Sequence, residues 1–144
     1  MKKVLIFLAI IAIIVIIIIV NYFSYMTEYN SIISENKEYE QYRDKEINGL
    51  QLATIINKTV DKNTKNDINK DESGLFISNG SNSIEIEIYM TDNENTYKME
   101  KIHDAGTEQF VQYYGNINFK CSKIEYHKNT GKVSYILFEQ IPIS

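Results

Sequence analysis

Seventeen consecutive apolar residues, Val4 to Val20, constrain this chain more than any other feature. Nine are Ile, three Val, two Leu, two Ala and one Phe, with no polar side chain among them. As a helix the run spans about 26 Å, and about 30 Å if continued to Phe23, which matches a bilayer core. Fifteen strongly apolar residues at about -0.3 to -0.6 kcal/mol each favour insertion by roughly 5–9 kcal/mol, an upper estimate. Lipid offers the backbone no hydrogen-bond partners, so the run must be helical despite isoleucine's modest helix propensity.

The run is longer than the roughly 7–15 residues of a cleaved signal core. The residues after it, Asn21-Tyr22-Phe23-Ser24-Tyr25, lack the small-x-small pattern of a signal-peptidase site, and no Cys lies near its end. Residues 1–23 are therefore expected to form a retained transmembrane signal anchor through Val4, Leu5, Ile10, Ile14, Ile18 and Val20. Lys2 and Lys3 are the only charges before Glu28, and the next basic residue is Lys37. The positive-inside rule then places the N-terminus in the cytoplasm and the rest outside the cell membrane, as a single-pass protein. Only three residues would face the cytoplasm, too few for an output domain. Tyr22, Phe23 and Tyr25 fall where an aromatic belt meets the outer interface.

Composition divides in the same way. The chain is 44% apolar, but without the 17-residue run the share falls to 36%. Residues 21–144 carry 13 basic and 19 acidic side chains, a net of -6. Such a domain is unlike a basic nucleic-acid binder, so no nucleic-acid partner is expected. A plain soluble protein and a multi-span membrane protein are excluded.

Residues 24–46 read as a helical stalk. Tyr22, Met26, Tyr29 and Ile33 follow helical spacing, the stripe lapses at Asn36, and it resumes at Tyr39 and Tyr42. No Pro or Gly interrupts residues 4–48, so anchor and stalk are expected as one long helix. The stripe packs on its own domain or docks another helix, and too few heptads are present for a coiled coil.

Residues 47–144 read as an extracytoplasmic α+β domain with a mostly antiparallel five-stranded sheet and two helices. Asn48, with Gln51 three residues on, suggests a capping box. A helix over 50–62 would bury Leu52, Ile55, Ile56, Thr59 and Val60. Residues 63–73 read as a polar loop. Strands are expected at 75–77, 84–90, 96–101, 117–126 and 133–138, with a helix near 103–114 ending at Gly115. The phase shift between Cys121 and Ile124 predicts a bulge. Lys128-Asn129-Thr130-Gly131 predicts a hairpin turn. Tyr135-Ile136-Leu137-Phe138, apolar on both faces, belongs at the sheet centre.

Chemistry is sparsely signalled. Cys121 alternates with Ile117 and Phe119 and reads as a small core residue. The sharper alternative makes it a nucleophile served by His127 or His103, both expected at the surface. Asp61, Asn63, Lys65, Asp67, Asn69 and Glu72 occupy the ligand positions of a calcium-loop template. Lys65 places a cation among the ligands and Asn66 replaces the required Gly, so the segment reads as a solvated loop. Glu85 and Glu87 share a strand face and are either an acid/base pair or ordinary surface charges. No P-loop, dinucleotide-binding glycine pattern, Gly-x-Ser-x-Gly elbow or His-Glu-x-x-His is present. No catalytic, cofactor-binding or metal-ligating residue is assigned, and no enzymatic activity or cofactor is expected.

Lysine outnumbers arginine 14 to 1, with 25 Ile and 15 Asn, a bias of AT-rich codons that suggests a bacterial source. The sequons at Asn57 and Asn79 would then be inert. Ile47-Asn48-Gly49 with Ile55-Ile56-Asn57-Lys58, the run from Phe119 to His127, and Phe138-Glu139-Gln140 resemble small membrane-anchored proteins of low-GC Gram-positive bacteria. The resemblance covers most of the chain and implies an anchored envelope protein without an active site. The architecture is also similar to type IV pilins and pseudopilins. Those carry Gly or Ala before the apolar run and a Glu five residues into it, where this chain has Lys3 and Leu8. The sequence thus supports a membrane-anchored binding or assembly protein, in contact with lipid and an envelope protein partner. A pilin-like subunit and an uncatalogued envelope hydrolase are the alternatives.

Overall fold

The computed structural model describes residues 1–142, and the chain divides into two compact units, Met1–Glu35 and Asn36–Ser144. The first unit lies within helix α1, Lys2–Glu40. Its most apolar stretch has a mean hydropathy of 3.5 and none of it is buried by protein. One helix is therefore long and apolar enough to cross a membrane. Two polar side chains beyond the apolar run bond back onto the helix: Asn21 donates to Ile17 O at 2.8 Å and Thr27 to Phe23 O at 2.9 Å.

The second unit begins with the last residues of α1 and continues through β1 (Glu46–Asn48), α2 (Gly49–Lys65), β2 (Glu85–Met90) and β3 (Asn95–Lys98). It ends with α3 (Met99–Ala105), α4 (Thr107–Tyr114), β4 (Asn118–Tyr126) and β5 (Val133–Gln140). The five strands form one sheet in the order β1-β4-β5-β2-β3. Three pairings are antiparallel, and β2 with β5 is parallel. The fold is α+β with a mixed, mostly antiparallel sheet, and β5 sits at its centre as its two-faced apolar pattern predicts.

Local chemistry explains the first elements. The Asn48 side chain accepts from Gln51 N at 2.9 Å, and the Gln51 side chain accepts from Asn48 N at 3.0 Å. This is the expected capping box, and such a cap contributes about 1 kcal/mol. The apolar face of α2 packs on the sheet, with Leu52, Ile55, Ile56, Thr59 and Val60 all buried. Ile86 and Ile88 of β2, Phe119 of β4, and Ile136 and Phe138 of β5 complete that core at 0–1% exposure. Burying each such side chain is worth about 1.5–3 kcal/mol. Cys121 lies among them at 1% exposure, as its alternation suggests. The predicted bulge falls between Cys121 and Lys123. Gly131 takes φ 69° in the hairpin loop between β4 and β5.

Several elements depart from the sequence reading. The helix ends at Glu40 rather than 46, because the chain reverses through Asp44 at φ 58°. Residues 46–48 then pair with β4, and edge pairing replaces further helical turns. Asn36 fastens the end of α1 to the hairpin, donating to Gly131 O at 2.8 Å and accepting from Val133 N at 2.9 Å. The expected strand at 75–77 reduces to one bridge between Lys70 and Phe76. Phe76 N instead donates to the Glu100 carboxyl at 3.0 Å. β3 stops at Lys98, and the expected helix near 103–114 is two helices broken at Gly106, whose φ of 98° excludes most side chains. Helix α2 runs on to Lys65, so Asn63 lies inside it, fully buried, rather than in a loop. Its amide donates to Ile84 O at 2.7 Å and accepts from Ile84 N at 2.9 Å. His127, expected at the surface, is 6% exposed and donates from Nε2 to Ser83 O at 2.7 Å.

Candidate functional site

The residues expected to form the anchor, Val4, Leu5, Ile10, Ile14, Ile18 and Val20, are exposed along α1, and so are Tyr22, Phe23 and Tyr25. Tyr25 stacks on Tyr29 with ring centroids 6.3 Å apart. The bare apolar side chains of residues 4–20 are compatible with a membrane anchor.

The catalytic alternatives do not assemble. Glu85 is paired with the Lys98 ammonium, and Glu87 accepts from the Tyr135 hydroxyl at 2.7 Å. Both carboxylates are therefore engaged by their neighbours. Burial, then the nearby Glu87, pushes the Tyr135 hydroxyl pKa well up. Burial also raises the Cys121 thiol pKa, which disfavours the thiolate a nucleophile requires. Cys121 lies within β4, and His127 lies just beyond its end with Nε2 bonded to Ser83 O. His103 lies on α3 with Nδ1 3.3 Å from Asp104 Oδ1. Among the described residues no three His, Cys, Asp or Glu side chains converge on a common point.

One hollow with binding character lies between the α3–α4 break and the β2–β3 end of the sheet. A groove of about 350 Å³ is lined by Met90, Tyr97, Ile102, Gly106, Phe110 and Tyr113, among others. A second hollow of about 450 Å³ continues past Tyr113 and Tyr114 to Asp92 and Gln140. The local fold explains the shape. Gly106 ends α3 by donating to His103 O at 3.0 Å, and its carbonyl accepts from Gln109 N at 3.0 Å to start α4. The resulting elbow forms one side of the groove, whose wall also includes Met90. Phe110 stacks on Tyr114 at 5.3 Å and contacts Phe119 at 6.0 Å, which roots the groove in the core. Gln140, 6% exposed, accepts from Thr91 N at 3.0 Å and holds the β2–β3 turn against the second hollow.

Tyr113 is 70% exposed at the junction of the two hollows, and Tyr97 is 37% exposed. Burial, with Asp92 and Tyr97 nearby, raises the Tyr114 hydroxyl pKa, so it stays a neutral donor. Phenol rings combine a large apolar face with a polar tip and suit contact surfaces. The lining offers apolar and hydroxyl contacts without a nucleophile–base pair. The sequence reading did not identify this groove. Its residues come from four elements, and only the Gly106 break, masked by a helix-like pattern on both sides, could have signalled it. Comparisons with protein-family models, curated proteins and solved structures gave no match.

Proposed function

We propose that this chain is a membrane-anchored, non-catalytic binding or assembly protein of the bacterial cell envelope. Its folded unit lies outside the cytoplasm and meets an envelope partner through the tyrosine groove. The observation that carries the reading is the pairing of one uncovered apolar helix with a folded unit that carries an aromatic-lined groove. The charge asymmetry at Lys2 and Lys3 supports the orientation. The groove lining holds no Glu, His or Cys, which gives the hydrolase alternative no support.

A photo-crosslinking residue at position 113 tests the proposal in membranes of the source cell. The expected result is a discrete adduct from 113 and none from the exposed position 128. Equal labelling at both positions, or none at 113, sinks the groove as a contact site. A second reading, a pilin-like subunit, draws on the unbroken 39 residues of α1. Cysteines placed through residues 4–33 would then crosslink copies into ladders, whereas the anchored monomer gives single bands.

A further inference from the structure

Gln140 is 6% exposed at the end of β5, and its side chain borders the second hollow. Thr91 N and Asp92 N both donate to one atom of its amide, at 3.0 and 3.4 Å, so that atom is the oxygen. The other amide atom, Nε2, is thereby fixed in place. It has no hydrogen-bond partner among the described residues, yet it is not sealed from solvent. A buried amide whose oxygen is committed and whose nitrogen stays open presents two N–H donors to the hollow.

The rest of the lining is of two kinds. Tyr113, Tyr114 and Ile117 supply apolar surface, and Thr91 and Asp92 supply oxygen. The Asp92 carboxylate accepts only, and it has no partner among the described residues. Burial, then this carboxylate, raises the Tyr114 hydroxyl pKa, which brings aromatic and acidic groups together in one place. No Lys, Arg or His lines this hollow among the described residues.

These features sort the ligand classes. A carboxylate or phosphate would meet Asp92 without a cation to offset it. An ammonium would satisfy Asp92 but leave the Gln140 donors unmet. A wholly apolar ligand would strand both groups, at a cost. A ring with neighbouring hydroxyls answers all of them, because each hydroxyl both donates and accepts. Its C–H face suits the negative face of a tyrosine ring.

We propose that this hollow binds a neutral pyranose ring of a surface glycan, an identity for the partner that rests on the contact-site reading above. The hollow of about 450 Å³ is within the range of small-molecule sites. The adjoining groove of about 350 Å³, reached past Tyr113, gives a second ring room, so the ligand is an oligosaccharide.

The test uses the whole chain in micelles of a sugar-free detergent. Saturation-transfer NMR, irradiating protein aromatic protons, is read on maltotriose, mannotriose and the trimer of N-acetylglucosamine. At least one is expected to bind saturably with a Kd below about 10 mM, with transfer strongest to ring C–H protons. Asp92→Ala is expected to weaken that binding roughly tenfold. Tyr113→Ala is expected to weaken it roughly fivefold, and Lys128→Ala to leave it unchanged. Positions 92 and 113 are both exposed, so both variants are expected to keep the wild-type circular dichroism. No saturable binding of any trisaccharide up to about 30 mM overturns the proposal. So does binding that is undiminished in both Asp92→Ala and Tyr113→Ala, or equally weakened in Lys128→Ala. A crosslink from position 113 without saccharide binding removes the glycan and leaves the contact site, whereas absence of both removes both.

Discussion

Gly49→Ala separates two physical arguments that differ in sign. Position 49 opens α2, where replacing Gly by Ala should stabilise a helix by up to about 1 kcal/mol. A Cβ at this position would lie 2.0 Å from Tyr114 O and 2.6 Å from Tyr114 C. Relief requires a movement of over 1 Å, roughly, and the obstacle is backbone, so no side-chain rotation provides it. Overpacking of this severity costs about 3 kcal/mol. Gly49 N also donates to Ile117 O at 2.9 Å, and stretching that bond costs about 1 kcal/mol more. Set against the helical gain, the net loss is about 3 kcal/mol. The chain has no Trp, so unfolding of the whole protein in micelles is followed by far-UV circular dichroism in urea. With an m-value of about 1.5 kcal/mol/M, the midpoint falls by roughly 2 M. Gly80→Ala is the control, since its Cβ meets nothing within 4 Å and only its φ of 71° is strained. It should cost about 1–2 kcal/mol. A Gly49→Ala protein as stable as wild type would refute the close approach of α4 to the start of α2.

Three further outcomes follow from the same geometry. Asn63→Ala strands both backbone groups of Ile84 in the core and should cost about 2–4 kcal/mol, read from urea midpoints; a loss below that of a surface substitution would contradict the pairing. Cys121, Tyr135 and Lys98 have pKa values raised from ordinary values of 9.0, 10.0 and 10.5, so folding holds their protons more tightly. Their contribution is complete below about pH 9 and is lost as pH rises, so stability should fall above pH 9; a rise in that range would contradict the shifts. In the proposed anchor, Ile14→Arg alone is expected to cost about 3–4 kcal/mol and to stay membrane-bound, whereas Ile10→Arg with Ile14→Arg is expected to erase most of the insertion energy. Alkaline extraction of membranes distinguishes the two variants, and release by the single substitution would contradict the estimate.

Where the sequence was legible, a local pattern had a single physical outcome. Residues 4–20 leave a helix as the answer, and the Asn48–Gln51 pair and the stripe from Leu52 to Val60 each fix a cap and a face. The two-faced run 135–138 placed β5 at the centre. Where tertiary contacts decided, local pattern failed. Glu46–Asn48 is too short to announce a strand and exists because β4 offers it an edge. Phe76 looks like a strand residue, yet its N–H is taken by Glu100, 24 positions away. Asn63 and His127 look solvent-facing by type, but each satisfies backbone groups in the Ser83–Ile84 segment from inside the fold. The groove was illegible because its lining is contributed by β2, β3, α3 and α4 together, with no spacing in the chain to reveal it.

The position of β5 also has a consequence for how the protein comes into being. Its strand is synthesised after the other four, yet it separates β4 from β2 in the finished sheet. Until residues 133–140 exist, β1–β4 and β2–β3 are two pairs with no neighbour in common. The parallel register joining Glu85 to Tyr135 closes a loop of about 50 residues, an entropic cost met only once both strands exist. A nascent chain therefore lacks the strand that joins the two pairs until residues 133–140 are made, and ribosome stalling just before Val133 is expected to yield an incompletely folded, degradable polypeptide.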